Sequence, residues 1–258
     1  MTPFRKMIRL GAMCALLASV ALPAQSRPLE DIQKDGKIIF ATEGQFSPFN
    51  FFQGTKLTGF EVELTELVAK KMGLALEWKA LGFDALLAGL RQDRWDVVIA
   101  SHGITEERSR AVTFTNPHYC SGGQVVSLDP AIKTGADLSG KVVAVQTGTT
   151  YLEGVKKLAG VKEVKNFPRD VDARSALLSK RVDAWVSDRF VAKQAVNSAP
   201  DAGMKVGELV FVERIAAAVS KGNQPLAQAY NKALAEVMAD GSYAALSKKY
   251  FNEDIRCK

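Results

Sequence analysis

Little metal or thiol chemistry is written into this chain. Its 258 residues include three cysteines and two histidines. No CxxC or HExxH spacing occurs, so the residues offer no metal site of the common kinds, and no cofactor is expected. Neither histidine, His102 or His118, stands near a GxSxG elbow, which argues against Ser-His-Asp hydrolysis. No Lys/Arg run exceeds two residues and none is interleaved with aromatics, so the net charge of +6 does not point to nucleic acid. After residue 22 no apolar run reaches the length of a membrane span. What is present suits an ordinary globular core: 47% hydrophobic and 24% charged, long enough for one large or two small domains.

The first 26 residues read as an export signal rather than as part of the fold. Arg5, Lys6 and Arg9 form a positive start; Leu10 to Leu22 is an apolar run too short to span comfortably; small residues suited to cleavage follow, after Ala24 or Ser26. A buried N-terminal helix is the competing reading, but it does not explain that order. Cys14 is preceded by Met13, where lipidation wants a small residue, so no lipid anchor is expected. Removing residues 1–26 removes three cations and no acids, and leaves a charge of +3. Cys120 and Cys257 then remain. In an oxidising compartment an even pair is a candidate disulfide, here tying the extreme C-terminus to mid-chain. Two free buried thiols are the alternative.

Strand and helix patterns alternate along the rest. Lys37–Thr42, Leu74–Ala80 and Val97–Ala100 read as strands. Between them Phe60, Leu64, Leu67, Val68 and Met72 recur at helical spacing up to Gly73, and Asp84–Leu90 is a second helix. Thr105 is placed to cap a short helix carrying Glu106 to Arg110. The pattern restarts with strands at Lys141–Gln146, Glu163–Phe167 and Val182–Val186 and helices between and after them, ending at Val196. Pro225 opens a further helix, and Ser242 is placed to cap the last. Two α/β units joined by two extended runs, near 121–128 and 212–219, predict two Rossmann-like lobes crossed twice by the chain. Ligands in such folds bind beyond the carboxyl ends of strands. Thr42-Glu43, Ser101, Thr149 and Asp188 all stand there.

The residues at these positions suit a zwitterion. Arg108 offers a fixed planar cation beside Ser101-His102-Gly103, where small residues leave backbone amides open; Asp188 offers a carboxylate after an apolar strand. Each has a plainer reading. Arg108 could pair with Glu106 or Glu107 on the surface, and Asp188 could cap the helix that follows it. Asp188 has an oxygen for each task. Gly148-Thr149-Thr150 looks like an anion cradle, as many strand-to-helix turns do. Phe46 and Phe83 are core residues unless a site claims them, and Glu43 is a solvated loop charge unless it faces a cleft.

Five segments in this order resemble the amino-acid-binding group of solute-binding proteins (family 3 type) that serve ABC importers. They are Glu43-Gly44-Gln45-Phe46-Ser47-Pro48-Phe49, Gly59-Phe60-Glu61-Val62-Glu63-Leu64, Ile104-Thr105-Glu106-Glu107-Arg108, Gly148-Thr149-Thr150 and Val182-Asp183-Ala184-Trp185-Val186-Ser187-Asp188. The resemblance runs from about Lys37 to Phe251. It implies an exported, periplasmic, monomeric receptor whose two lobes, 27–121 with 216–258 and 122–215, close like a flytrap on one amino acid and hand it to an inner-membrane permease. It implies that Arg108 clamps the α-carboxylate, Asp188 takes the α-ammonium, and Thr149 and Thr150 donate a hydroxyl and an amide to the carboxylate. Phe46 and Phe83 would flank the side chain, and Glu43 would meet a polar or cationic tip. Gly103 departs from the Ser or Thr that relatives often carry, so one hydroxyl is lost and its backbone amide serves alone. A few proteins of this architecture resemble periplasmic dehydratases of prephenate or arogenate. Glu43 is the one acid nameable for such an enzyme, and the intact amino-acid clamp argues against it.

Overall fold

A computed structural model of the chain describes residues 26–257. The export signal assigned to residues 1–26 thus falls, apart from Ser26, outside the described residues, and so does Cys14. The described chain opens with α1 (Leu29–Asp35) and turns through Gly36 into β1 (Lys37–Thr42). A short antiparallel meander follows: β2 (Gln45–Phe46), β3 (Asn50–Gln53) and β4 (Lys56–Thr58). Phe46 lies on its first strand. Next come α2 (Phe60–Met72), β5 (Ala75–Ala80), α3 (Phe83–Leu90) and β6 (Val97–Val98). Phe60, Leu64 and Val68 recur at helical spacing and are fully buried, which is why α2 packs one face against the sheet. Gly73 ends α2 at φ 72°, where a side chain would be strained.

A second α/β unit contains β8 (Val142–Gln146), α5 (Thr150–Lys156), β9 (Glu163–Phe167), α6 (Asp170–Leu178), β10 (Ala184–Asp188) and α7 (Arg189–Ser198). α4 (Glu106–Ala111) and β7 (Val112–Ser127) lead into it; β11 (Lys205–Ser220), α8 (Gln224–Ala239) and α9 (Ser242–Phe251) follow it. The two extended runs seen in sequence belong to β7 and β11, each 16 residues long and paired antiparallel over most of their length. Much of the outer half of β11 is exposed and mixes Lys205, Glu208 and Glu213 with apolar residues, so its hydrophobic pattern did not mark it as strand.

These long strands carry the chain between two α/β lobes of the flytrap type. They also merge the lobes into one eight-stranded sheet, ordered β5-β1-β6-β11-β7-β10-β8-β9. On one side β5, β1 and β6 are parallel; on the other β10, β8 and β9 are parallel. Central strands Val97–Val98 and Ala184–Asp188 are buried throughout, as strands covered on both faces must be. Three details depart from expectation. The strand expected at Val182–Val186 lies two residues later, at Ala184–Asp188, so Asp188 ends the strand itself. The third strand is shorter than Val97–Ala100, because the chain leaves the ladder to turn at Ser101, whose φ is 56°. Ser242 is the first residue of α9 rather than its cap; Gly241 holds the cap position at φ 84°. Cys120 on β7 is joined by a disulfide to Cys257, with Cα atoms 4.8 Å apart.

Candidate functional site

The strand ends named from sequence converge. Glu43 follows β1, Ser101 follows β6, Thr149 and Thr150 follow β8, and Asp188 closes β10. A small cavity lies between the first three of these ends, lined by Glu43, Phe46, Phe83, Ala100, Ser101, Gln146, Thr149, Thr150 and Tyr151. Gly103, Arg108 and Asp188 do not line it: Arg108 borders an adjoining open groove, and Asp188 is wholly buried and bonded to Tyr151. Residues flanking β1 and β6 face residues flanking β8, so the cavity sits across the gap between the two α/β units.

Arg108 rides on α4, whose first turn is capped by Thr105: its Oγ1 accepts from the Arg108 N–H at 3.1 Å. The guanidinium does not pair with Glu106 or Glu107. Glu106 instead takes Arg110 at 2.5 Å, and Arg108 donates to the carbonyls of Gly103 at 2.8 Å and Gly148 at 2.9 Å. It therefore bridges the gap, with its carbon 5.8 Å from the centre of the Phe83 ring. Burial pulls its pKa down, while Glu213, Tyr151 and Glu107 oppose that shift.

Asp188 divides its oxygens. Oδ1 caps α7, accepting from the Phe190 N–H at 2.7 Å, while Oδ2 accepts from the Tyr151 hydroxyl at 3.4 Å. Burial pushes its pKa up to about 7, with the nearby charge of Glu213 adding to the shift and the cap bonds opposing it. Glu43 is 5% exposed and accepts from Gln146 Nε2 at 2.7 Å. Burial raises it to about 8 against that hydrogen bond, helped by Asp170 and Asp84. Phe83 stacks on His102 with ring centres 4.3 Å apart. His102 is wholly buried, and desolvation first, then Arg108, drives its pKa well below the ordinary value, so the imidazole is neutral.

The two threonines differ. The Thr149 hydroxyl is spent locally, donating to the Gln146 carbonyl at 2.7 Å and accepting from the Leu152 N–H at 3.2 Å as the cap of α5. The Thr150 hydroxyl is aimed elsewhere and donates to Glu213 Oε2 at 2.7 Å. Gly103 lies under that carboxylate: a Cβ there would stand 2.0 Å from Glu213 Oε2. Ser101 is held in its left-handed turn by Glu61, which accepts from its N–H at 2.8 Å and its hydroxyl at 3.1 Å. The same buried carboxylate accepts from Asn50 at 2.8 Å and contacts His118 Nε2 at 2.9 Å.

Sequence reasoning did not assign Glu61, Gln146, Tyr151 or Glu213 to the site. Gln146 carried a usable signal, a polar residue at the carboxyl end of an apolar strand. Glu61 stood inside a quoted segment without a role. Glu213 carried none, because its partners Thr150 and Gly103 are distant in sequence. Among the described residues no group of three or more His, Cys, Asp or Glu side chains is placed to hold a metal, and no helix is long and apolar enough to cross a membrane.

Two α/β lobes joined by paired crossing strands, with polar strand ends facing one gap, define a solute-receptor architecture. The chain belongs to the bacterial extracellular solute-binding proteins, family 3, whose profile matches residues 38–253. It is 35% identical over 254 residues to the L-cystine-binding protein TcyJ of Escherichia coli, covering 95% of each chain. Among solved structures it is similar to an ancestral arginine-binding protein, caught once with arginine and once with glutamine. The TM-score is 0.80 and the identity 40%, over 84% of this chain and 98% of the arginine-bound one. It is also similar to the ancestral amino-acid-binding protein AncCDT-1, a precursor of cyclohexadienyl dehydratase, at 28% identity and a TM-score of 0.79 over 86% of this chain and 98% of that one.

Proposed function

We propose that this protein is the receptor of an ABC importer: it binds one free amino acid between its lobes in the periplasm and delivers it, as a monomer, to an inner-membrane permease. The single observation that carries this reading is a cavity shared by strand ends of both α/β units, with the Arg108 guanidinium bridging the gap beside it. Arg108 spans Gly103 and Gly148, and Asp188, wholly buried, holds the Tyr151 hydroxyl on Oδ2 while its other oxygen caps α7. Withdrawing a zwitterion from water costs several kcal/mol per charge unless each end is matched. Here the α-carboxylate goes to Arg108 and the Thr150 hydroxyl, and the α-ammonium to Asp188. The lobes divide as 27–121 with 216–258 and 122–215, since β7 and β11 are the two crossings.

Glu43 and Gln146 set the far end of the cavity, and Phe46 and Phe83 its walls. A buried acid beside an amide favours a polar or cationic side chain, so arginine, lysine, ornithine and glutamine are the expected ligands. Calorimetric titration of the twenty standard amino acids and ornithine tests this. Tight binding confined to glutamate or aspartate overturns the side-chain assignment, and failure of every α-amino acid to bind overturns the receptor. A second reading makes Glu43, held protonated near neutrality by burial, the general acid of a dehydratase. Release of phenylpyruvate from prephenate, followed by absorbance, would establish that reading in place of the first.

A further inference from the structure

Glu213 is a half-buried acid that the amino-acid clamp does not use. It extends from β11 toward the cleft, and its position is complementary to the one departure at the site, Gly103. Any side chain at 103 would collide with the carboxylate, because a Cβ would sit 2.0 Å from Oε2 and 3.1 Å from Cδ. The missing side chain and the carboxylate therefore occupy the same space. The Thr150 hydroxyl donates to Oε2 at 2.7 Å. Oε1 is buried and finds no hydrogen-bond partner among the described residues. Burial raises the pKa of Glu213, against the Thr150 hydroxyl, the neighbouring Tyr151 hydroxyl and the facing charge of Arg108.

From this we infer that Glu213 is an affinity-determining residue: its carboxylate is a built-in competitor for the ligand's α-carboxylate, holding the Thr150 hydroxyl and the space over Gly103 that the ligand must take. The inference rests on the amino-acid reading of the same cleft. Three observations support it together. First, the group that Glu213 presents is chemically the one that the cleft would bind, a carboxylate. Second, the donor it holds is the one threonine hydroxyl of the 149–150 pair not consumed by local structure. Third, it has somewhere to go. Glu213 also borders an open groove with Ile104, Arg108, Gly154, Val210 and Val212, so rotation of its side chain leads to water. A carboxylate satisfied on one oxygen only is weakly held, and gains full hydration on leaving. The competitor thus lowers affinity without blocking the site, which suits a receptor that must also release its cargo.

Titration calorimetry on the wild type, Glu213→Ala and Gly103→Ser tests this with arginine and glutamine as probes. Glu213→Ala is expected to tighten binding about five-fold or more, the scale of one recovered hydrogen bond. Gly103→Ser is expected to tighten it also, since its Cβ expels the carboxylate; its φ is not in the left-handed region, so the backbone accepts a side chain. Adding Gly103→Ser to Glu213→Ala should then yield less than the sum of the two single gains, because both act on one contact. Unchanged or weakened binding in Glu213→Ala, with the wild type binding normally, overturns the inference alone; weakening would mean that Glu213 helps to hold the ammonium. A wild type that binds no amino acid overturns the receptor reading, and the inference with it.

Discussion

At residue scale the cleft holds several acids against one cation. Glu43 and Asp188 are buried, and their pKa values are raised to about 8 and about 7 by desolvation. Both therefore carry protons for part of the time at neutral pH. A ligand that brings an ammonium to Asp188 and a cationic tip to Glu43 favours the ionised form of each, which lowers both pKa values. Binding must then release protons at pH 7, and affinity for arginine must rise as pH increases from about 6 to 8. Calorimetry in buffers of different ionisation heat reads the released protons directly, and Glu43→Gln should remove part of the release. Arg108→Ala and Asp188→Ala should each weaken binding by at least about 2–3 kcal/mol, as the loss of one partner from a buried charge pair does. Wild-type affinity in either variant would refute its role.

At the scale of elements, the loop after β6 is shaped from below. Glu61, in the first turn of α2, is fully buried and gathers the Ser101 N–H and hydroxyl, the Asn50 amide and the His118 ring. It thus joins α2, the meander, β7 and the loop carrying Ser101 to Arg108. Gly59 lets α2 begin hard against the meander: its φ is 123°, and a Cβ would lie 2.3 Å from the Phe49 carbonyl oxygen. Glu61→Ala leaves four groups without their partner, and is expected to cost about 3 kcal/mol or more of stability in urea titration, since each buried polar group left unpaired costs about 1–3 kcal/mol. Because Ser101 loses its hold in the same variant, ligand affinity should fall with stability. A variant that loses stability and keeps full affinity would show that Glu61 supports the fold without shaping the site.

At the scale of the molecule, Arg108 already reaches carbonyls on both sides of the gap, at Gly103 and Gly148, and the proposed carboxylate contacts span the same gap. A ligand that touches both lobes binds the closed arrangement better than the open one, and shifts the population by that difference alone. The two 16-residue strands β7 and β11 are the elements that must bend, and the register of their pairing breaks near Ile215 and Ala216, level with the Gly103 bridge. Small-angle scattering should show the radius of gyration falling when a bound amino acid saturates the wild type. Arg108→Ala at a ligand concentration that fills its weakened site should show a smaller fall. No change in the wild type under saturation would exclude closure as the response to ligand.

Alternating short apolar strands and helices of period 3.6 made the two α/β units readable, because each element's burial is written in its own neighbours along the chain. The same locality singled out Ser101, Thr149 and Asp188 as strand-end residues, whereas the roles proposed for Arg108 and Asp188 came with the family resemblance. Pairing between distant segments was not readable. Nothing in the run around residue 212 says that it continues a 16-residue strand, or that its Glu213 meets Gly103 and Thr150. Nor does the motif containing Glu61 say which donors surround it. The sequence by itself determined the elements, their order and the chemistry available at their ends. Only the tertiary structure decided which of those ends share a carboxylate, because hydrogen bonds between remote residues depend on how the sheet is ordered, and β11 lies between β6 and β7 by long-range pairing alone.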